Sequence, residues 1–265
     1  MDSQSHEPGD GFIATPHDTV DTLVGEKRAG TPIRIDFAQR RSGSTKAPGP
    51  LAEFVASGDL RGLRLYLLAL VRATRQEPWD VRLPSAVWAR ALGIDLPTTK
   101  SASSSISKAW LRIEQRGLIT RSRSGRMSVI RLLSEDGQGA PYVRPSGGYF
   151  KLPVAFWLAG PGTNDKRWFE VFDLPATAML LVASTLQPGF AFPVERTPER
   201  YGFSADTAHR GLSTLAEMGV LETRKSYRKE PLAPQGYTHE YRYTLQEPFS
   251  HRPSPQRRAQ PRTTE

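Results

Sequence analysis

The sequence predicts a mainly α-helical α+β chain in which helices lead into small β-hairpins. Three observations point there. Apolar residues recur at helical spacing in several separate runs. Two of these helices end at a glycine followed at once by strand-like residues. One such helix-and-strand segment also returns 102 residues further along.

Residues 100–133 carry the most information. Ile106, Ala109, Trp110 and Ile113 fall on one helical face. Successive residues turn by roughly 100° about the axis, so Ser101, Ser104, Ser105, Lys108, Arg112 and Gln115 are expected to point away from it, with Lys100 at the start. Short hydroxyls and cations of this kind hydrogen-bond to base edges and phosphates. Gly117 is placed as the C-terminal stop. Residues 118–121 and 127–132 then read as two strands joined through Arg123-Ser124-Gly125-Arg126, with Ser-Gly as the turn signal. Taken alone, such a helix also reads as a solvated surface helix, and a basic hairpin tip need bind nothing.

The chain of 265 residues allows one large domain or two of ordinary size. Its net charge of +9 suits a polyanionic partner without naming one. The excess is uneven: residues 51–138 hold 14 Lys and Arg against 8 Asp and Glu, a net +6, whereas residues 139–246 hold 12 against 10. With no cysteine there is no disulfide framework, no thiolate zinc site and no cysteine nucleophile. The polar, acidic start is unlike a secretory signal, and apolar runs such as residues 65–71 are too short to span a bilayer. A soluble, cytoplasmic, nucleoid-associated chain with no membrane partner is expected.

In chain order, residues 1–50 are rich in Gly, Pro, Ser, Thr and Asp and read as a mostly disordered arm, with a strand pattern only at residues 33–37. A first folded domain is expected over 51–136. Asp59 would cap a helix through Leu60, Leu63, Leu67, Leu70 and Val71; Val81 and Leu83 alternate; Pro84 opens a short helix closed by Gly93. Residues 137–148 read as a loop-rich linker and 149–246 as a second domain, followed by a disordered basic tail over 247–265. Within the second domain, residues 174–186, the short helix before Gly202 and residues 204–218 repeat the helical order. Ile106, Trp110, Ile113, Gly117, Leu118 and Ile119 fall on Ala208, Leu212, Leu215, Gly219, Val220 and Leu221 at the constant offset, which favours an internal repeat over chance likeness of two amphipathic helices. A longer hairpin follows with Arg224, Lys225, Arg228 and Lys229 clustered on its outgoing strand. The aromatics of residues 149–172 suggest packing or pairing of subunits, which would suit a homodimer.

Catalytic patterns are missing. The five histidines show no paired metal spacing, and no glycine-rich phosphate loop is present. Neither an enzyme nor a cofactor is expected, and no small-molecule effector is assigned.

The order helix, strand, helix, turn, helix, hairpin resembles the winged helix–turn–helix, and its repetition resembles a protein of two tandem winged helix–turn–helix domains with disordered ends. Single-domain relatives of that kind include MarR- and GntR-type transcription regulators; the two-domain arrangement resembles plasmid replication initiators. The resemblance implies a helix in the major groove of double-stranded DNA and a wing on the backbone or minor groove. Residue by residue, it assigns Lys100, Ser104, Lys108 and Arg112 to the first helix, beside Ser101 and Ser105 of the same outward face, and Arg121, Arg123 and Arg126 to its wing. In the second copy it assigns Thr207, Arg210 and Thr214 to the helix and Arg224, Lys225, Arg228 and Lys229 to the wing, with Asp206 and Glu217 opposing phosphate there. Transcription control or origin binding is the function implied. The competing class is a protein–protein scaffold of chromosome maintenance, for which the basic first domain would serve no purpose.

Overall fold

A reciprocal cap opens the fold. Thr15 and Asp18 bond each other's backbone N–H groups and Pro16 takes the first helical position, so α1 (Pro16–Val24) starts sharply. A computed structural model of the chain describes residues 13–25, 29–42, 45–94, 99–125, 127–162, 165–250 and 253. After α1 come β1 (Gly30–Arg34), a 3-10 turn over Ile35–Phe37, and a small hairpin of β2 (Gln39–Ser42) and β3 (Thr45–Pro48). The first main unit follows with α2 (Leu51–Ala56), α3 (Leu60–Ala73), β4 (Asp80–Leu83), α4 (Ser85–Ala91), α5 (Thr99–Gln115), β5 (Ile119–Ser124) and β6 (Met127–Leu132). The second comprises β7 (Tyr149–Pro153), the short α6 (Ala155–Leu158) and α7 (Trp168–Val171), α8 (Leu174–Ser184), β8 (Phe190–Ala191), α9 (Thr197–Tyr201), α10 (Ala205–Glu217), β9 (Leu221–Lys229) and β10 (Tyr237–Leu245). The fold is α+β with small antiparallel sheets.

The two units repeat one another down to individual hydrogen bonds. Their sheets run β4-β6-β5 and β8-β10-β9, both antiparallel. Asp59 and Asp173 cap α3 and α8 by accepting from the N–H of Gly62 and Ala176, at 3.0 and 2.8 Å. At the ends of α5 and α10, Gly117 and Gly219 take φ of +68° and +70°, a conformation in which a side chain would be strained. Leu118 N–H then donates to Ile113 C=O, and Val220 N–H to Leu215 C=O, the same closure of the last helical turn 102 residues apart. Each hairpin extends its pairing by one further rung in the same way: Leu133 N–H donates to Leu118 C=O and Gln246 N–H to Val220 C=O, both at 2.9 Å.

The core is continuous through both units. Buried side chains from α1 to Phe249 form one hydrophobic cluster. The N-terminal segment is joined to the second unit: β1 pairs antiparallel with β7, Pro32 lying opposite Lys151. At the end of β1, Arg34 pairs with Glu135, whose carboxyl burial pushes upward against the pull of that guanidinium.

Three expectations are corrected here. Residues 13–25, 29–42 and 45–50, expected in a disordered arm, are folded: α1 buries Val20, Leu23 and Val24, and β1 completes a sheet with β7. Residues 137–148 are not a free linker, because Ser134 N–H donates to Ala140 C=O, Tyr142 is buried edge-on against Trp79, and Gly148 C=O accepts from Ile35 N–H. The tail is anchored at its start by Phe249, fully buried beside Trp168 and Phe172. Beyond Ser250 the tail lies outside the described residues apart from Pro253. Among the described residues no helix is long and apolar enough to cross a membrane.

Trp110 sits at the centre of the first unit, 1 % exposed and edge-on to Trp88 with ring centroids 5.3 Å apart. Trp110→Ala should cost about 3–5 kcal/mol, read as a lowered urea midpoint. Because the core is shared, both units should melt together in one shifted transition. Two resolved transitions, with the second unit intact, would contradict this.

Candidate nucleic-acid interface

Helix α5 is built as its apolar spacing requires. Ala102, Ile106, Ala109, Trp110 and Ile113 are buried, and Ser101, Ser104, Ser107, Lys108, Leu111 and Gln115 are exposed. Lys100 belongs to the helix, but its side chain lies outside the described residues, as does Arg126 at the hairpin tip. Lys108 has no ion-pair or hydrogen-bond partner among the described residues. Neither has Arg123, which stands exposed on β5 opposite Ser128. Between α5 and the β5–β6 hairpin lies an open groove of ≈ 350 Å³ lined by Ser107, Trp110, Arg121, Ser122, Arg123, Ser128 and Ile130.

Several residues expected to point away are instead held by the fold. Arg112 folds back and donates to both carboxylate oxygens of Asp59, at 2.9 and 2.7 Å. Arg116, buried at the end of α5, donates to the same carboxylate at 2.9 Å while its guanidinium lies 4.1 Å from the Phe54 ring centre. Arg121 is drawn onto Glu114, which accepts from its backbone N–H at 2.9 Å and from its Nε at 2.7 Å. Ser105 is half-buried and accepts from Arg61 at 2.9 Å. The expectation of a free outward Arg112 is thus corrected, because a buried carboxylate competes for the guanidinium and wins. Arg121 likewise braces the hairpin against the helix.

The second unit presents a different surface. Ser204 caps α10 by accepting from Thr207 N–H at 3.1 Å, and the two hydroxyls bond at 2.8 Å, so Thr207 is half-buried and occupied rather than outward. Thr214 is half-buried as well. Arg210 is exposed, 3.8 Å from Asp206 one turn earlier. In the longer hairpin Arg224 and Arg228 pair with Glu222 and Glu230, at 2.7 and 3.3 Å, whereas Lys225 lies 5.3 Å from the centre of the Tyr227 ring. Among the described residues no cluster of three or more His, Cys, Asp or Glu is close enough to hold a metal ion.

Sequence reasoning missed Arg61 and the Asp59 clamp. Asp59 was legible as a helix cap, but its partners lie 53 and 57 residues away in the chain. Burial raises the Asp59 carboxyl, yet hydrogen bonds from Arg112, Arg116 and the Gly62 N–H outweigh it and hold the group at about 2, against an ordinary 3.8. No protein-family model matches the chain, and a comparison with curated proteins returns no match.

A depressed carboxyl stabilises the fold wherever it is ionised in both the folded and unfolded chain. The contribution is therefore complete above about pH 4 and is lost as the pH falls toward 2, and a depression of this size is worth about 2 kcal/mol. In urea titrations between pH 5 and 2.5, Asp59→Asn should be less stable at pH 5 and should lose less stability on acidification than the unmodified chain. Parallel acid profiles for the two proteins would remove the clamp from the account.

Proposed function

We propose that the chain is a tandem winged helix–turn–helix protein that binds double-stranded DNA selectively by sequence, without catalysis, in transcription control or in marking a replication origin. The observation that carries this reading is the exposed hydroxyl-and-lysine face of α5 beside a hairpin whose Arg123 is exposed and has no partner among the described residues, in the part of the chain that holds most of the net charge. Ser104 and Lys108 are the exposed groups that meet base edges in the major groove, a space that admits one helix, with the exposed Ser101 one turn before them. Arg123 sits where a wing would meet phosphate. Arg112, Arg121 and Arg116 act differently: they set the angle between helix, hairpin and α3, and contact DNA only at the expense of internal pairs. The second unit adds cations on its longer hairpin, while Asp206 beside Arg210 makes α10 a poorer base reader.

A protein engaging six or more phosphates should lose about 1,000-fold or more in affinity between roughly 50 and 200 mM salt. Lys108→Ala should narrow the affinity gap between a selected genomic site and a scrambled one by about 1–3 kcal/mol if it reads a base. Arg123→Ala should weaken both sites alike and lower the salt slope by about one. Fluorescence anisotropy on both duplexes measures all three effects. Absence of duplex binding at low salt would defeat the reading and leave the scaffold alternative in front.

A further inference from the structure

The long second hairpin sorts its side chains by face. Strand alternation puts Lys225, Tyr227 and Lys229 of β9 on the same side as Tyr237, His239 and Tyr241 of β10, since Tyr241 lies opposite Lys225, His239 opposite Tyr227 and Tyr237 opposite Lys229. The other side holds Glu222, Arg224 and Arg228 with Glu240 and Arg242, an Arg–Glu ladder that neutralises itself through the Arg224–Glu222 and Arg242–Glu240 pairs. The first face carries no carboxylate along the paired length of the hairpin. The four cations that cluster in the sequence are thus divided, two lysines among aromatic rings and two arginines among glutamates.

The aromatic face is exposed and continuous. Tyr227, Tyr237 and Tyr241 are 62 %, 45 % and 47 % exposed. Tyr227 contacts Tyr237 at 5.6 Å between ring centres and His239 at 6.3 Å, and His239 contacts Tyr241 at 5.8 Å edge-on. The row is rooted at its inner end by Tyr243, half-buried against Phe190. A run of exposed rings with lysines between them is costly to leave in water and does nothing for the core. Its chemistry matches a strand of unpaired nucleotides, because unpaired bases offer flat apolar faces to stack on rings and their phosphates offer charge to the lysines. A duplex hides those base faces in its own stack and can use only the lysines.

We infer that this face is a stacking platform for single-stranded nucleic acid, distinct from the duplex-binding surface proposed for α5 and the first hairpin. Tyr227 and Tyr241 stack on bases, and Lys225 and Lys229 meet the phosphates beside them. The arginine face takes no part in base contact.

The test uses the full chain and a fluorescent oligothymidine of about 12 nucleotides, within the range such platforms occupy. An abasic strand of the same length and a duplex serve as comparison probes, all read by anisotropy. The unmodified chain should bind oligothymidine at least about tenfold more tightly than the abasic strand, as expected where stacking contributes. Tyr227→Ala with Tyr241→Ala should weaken oligothymidine binding by roughly 100-fold, at about tenfold per ring, leaving abasic and duplex affinities near their original values. Tyr227→Phe with Tyr241→Phe should retain binding, because stacking needs the ring and not the hydroxyl; it also guards against misfolding as the cause of loss. Arg224→Ala with Arg228→Ala should leave the preference for oligothymidine over the abasic strand unchanged. Equal affinity of the unmodified chain for oligothymidine and abasic strand would overturn the inference. So would unchanged oligothymidine binding by the alanine pair, loss of duplex binding instead, or a shift only in the sedimentation of the free chain, which would make the face a contact between copies. Because the duplex probe is read separately, failure here leaves the α5 reading standing, and the reverse holds too.

Discussion

The Asp59 carboxylate is the point on which the first unit is hung. It takes hydrogen bonds from the Gly62 N–H and from two guanidiniums, and so joins the start of α3 to the C-terminal half of α5. Two residues later, Arg61 reaches the other half of α5 through Ser105. A helix gripped at two places along its length has its rotation about its own axis fixed, and that rotation decides which side chains face outward. Burying charges is costly, and such pairs contribute little net stability over apolar packing. What they supply here is direction. Lys108 and Ser104 are exposed on a defined face because Arg112 and Arg116 are not free to turn out.

The second unit reaches the same backbone by other means. At the offset of the repeat, Arg112 and Arg116 correspond to Thr214 and Met218, so Asp173 caps α8 without gripping α10. Close contact replaces the clamp. A Cβ added to Gly211 would lie 2.4 Å from the Pro175 carbonyl oxygen and 2.6 Å from a Met179 side-chain carbon, so α10 rests directly on α8 where any larger residue would push it off. One helix is positioned by ions and the other by the absence of a side chain. The outer surfaces then differ as well, serine and lysine on α5 against Asp206, His209 and Arg210 on α10.

Much of this was legible in the sequence, and the exceptions share a cause. The buried face of α5, the stops at Gly117 and Gly219, and the offset of 102 residues all follow from local rules of periodicity and glycine conformation. The orientation of Arg112 and Arg121 did not, because a long cation chooses among carboxylates brought close only by folding. The N-terminal segment was misread for a similar reason. Its composition is loop-like, and β1 gains its partner at β7, more than a hundred residues away. Yet the Thr15-Pro16-His17-Asp18 cap that starts α1 was a readable signal passed over in a polar stretch. The division of the second hairpin into two faces was also readable, since alternation alone separates Lys225 and Lys229 from Arg224 and Arg228.

The continuous core has a metrical consequence. Two units joined by a slack tether could settle on sites at many separations, whereas two units fused through one interior keep a single distance and a single relative angle. On DNA each added base pair advances the next feature by about 3.4 Å and rotates it by roughly 35° about the helix axis. A rigid body cannot follow that rotation. For the proposed reading, the protein is then a gauge as much as a reader: it measures the interval between two contact points on the duplex, and that interval is written into the shared core of the two units rather than into any side chain that touches a base.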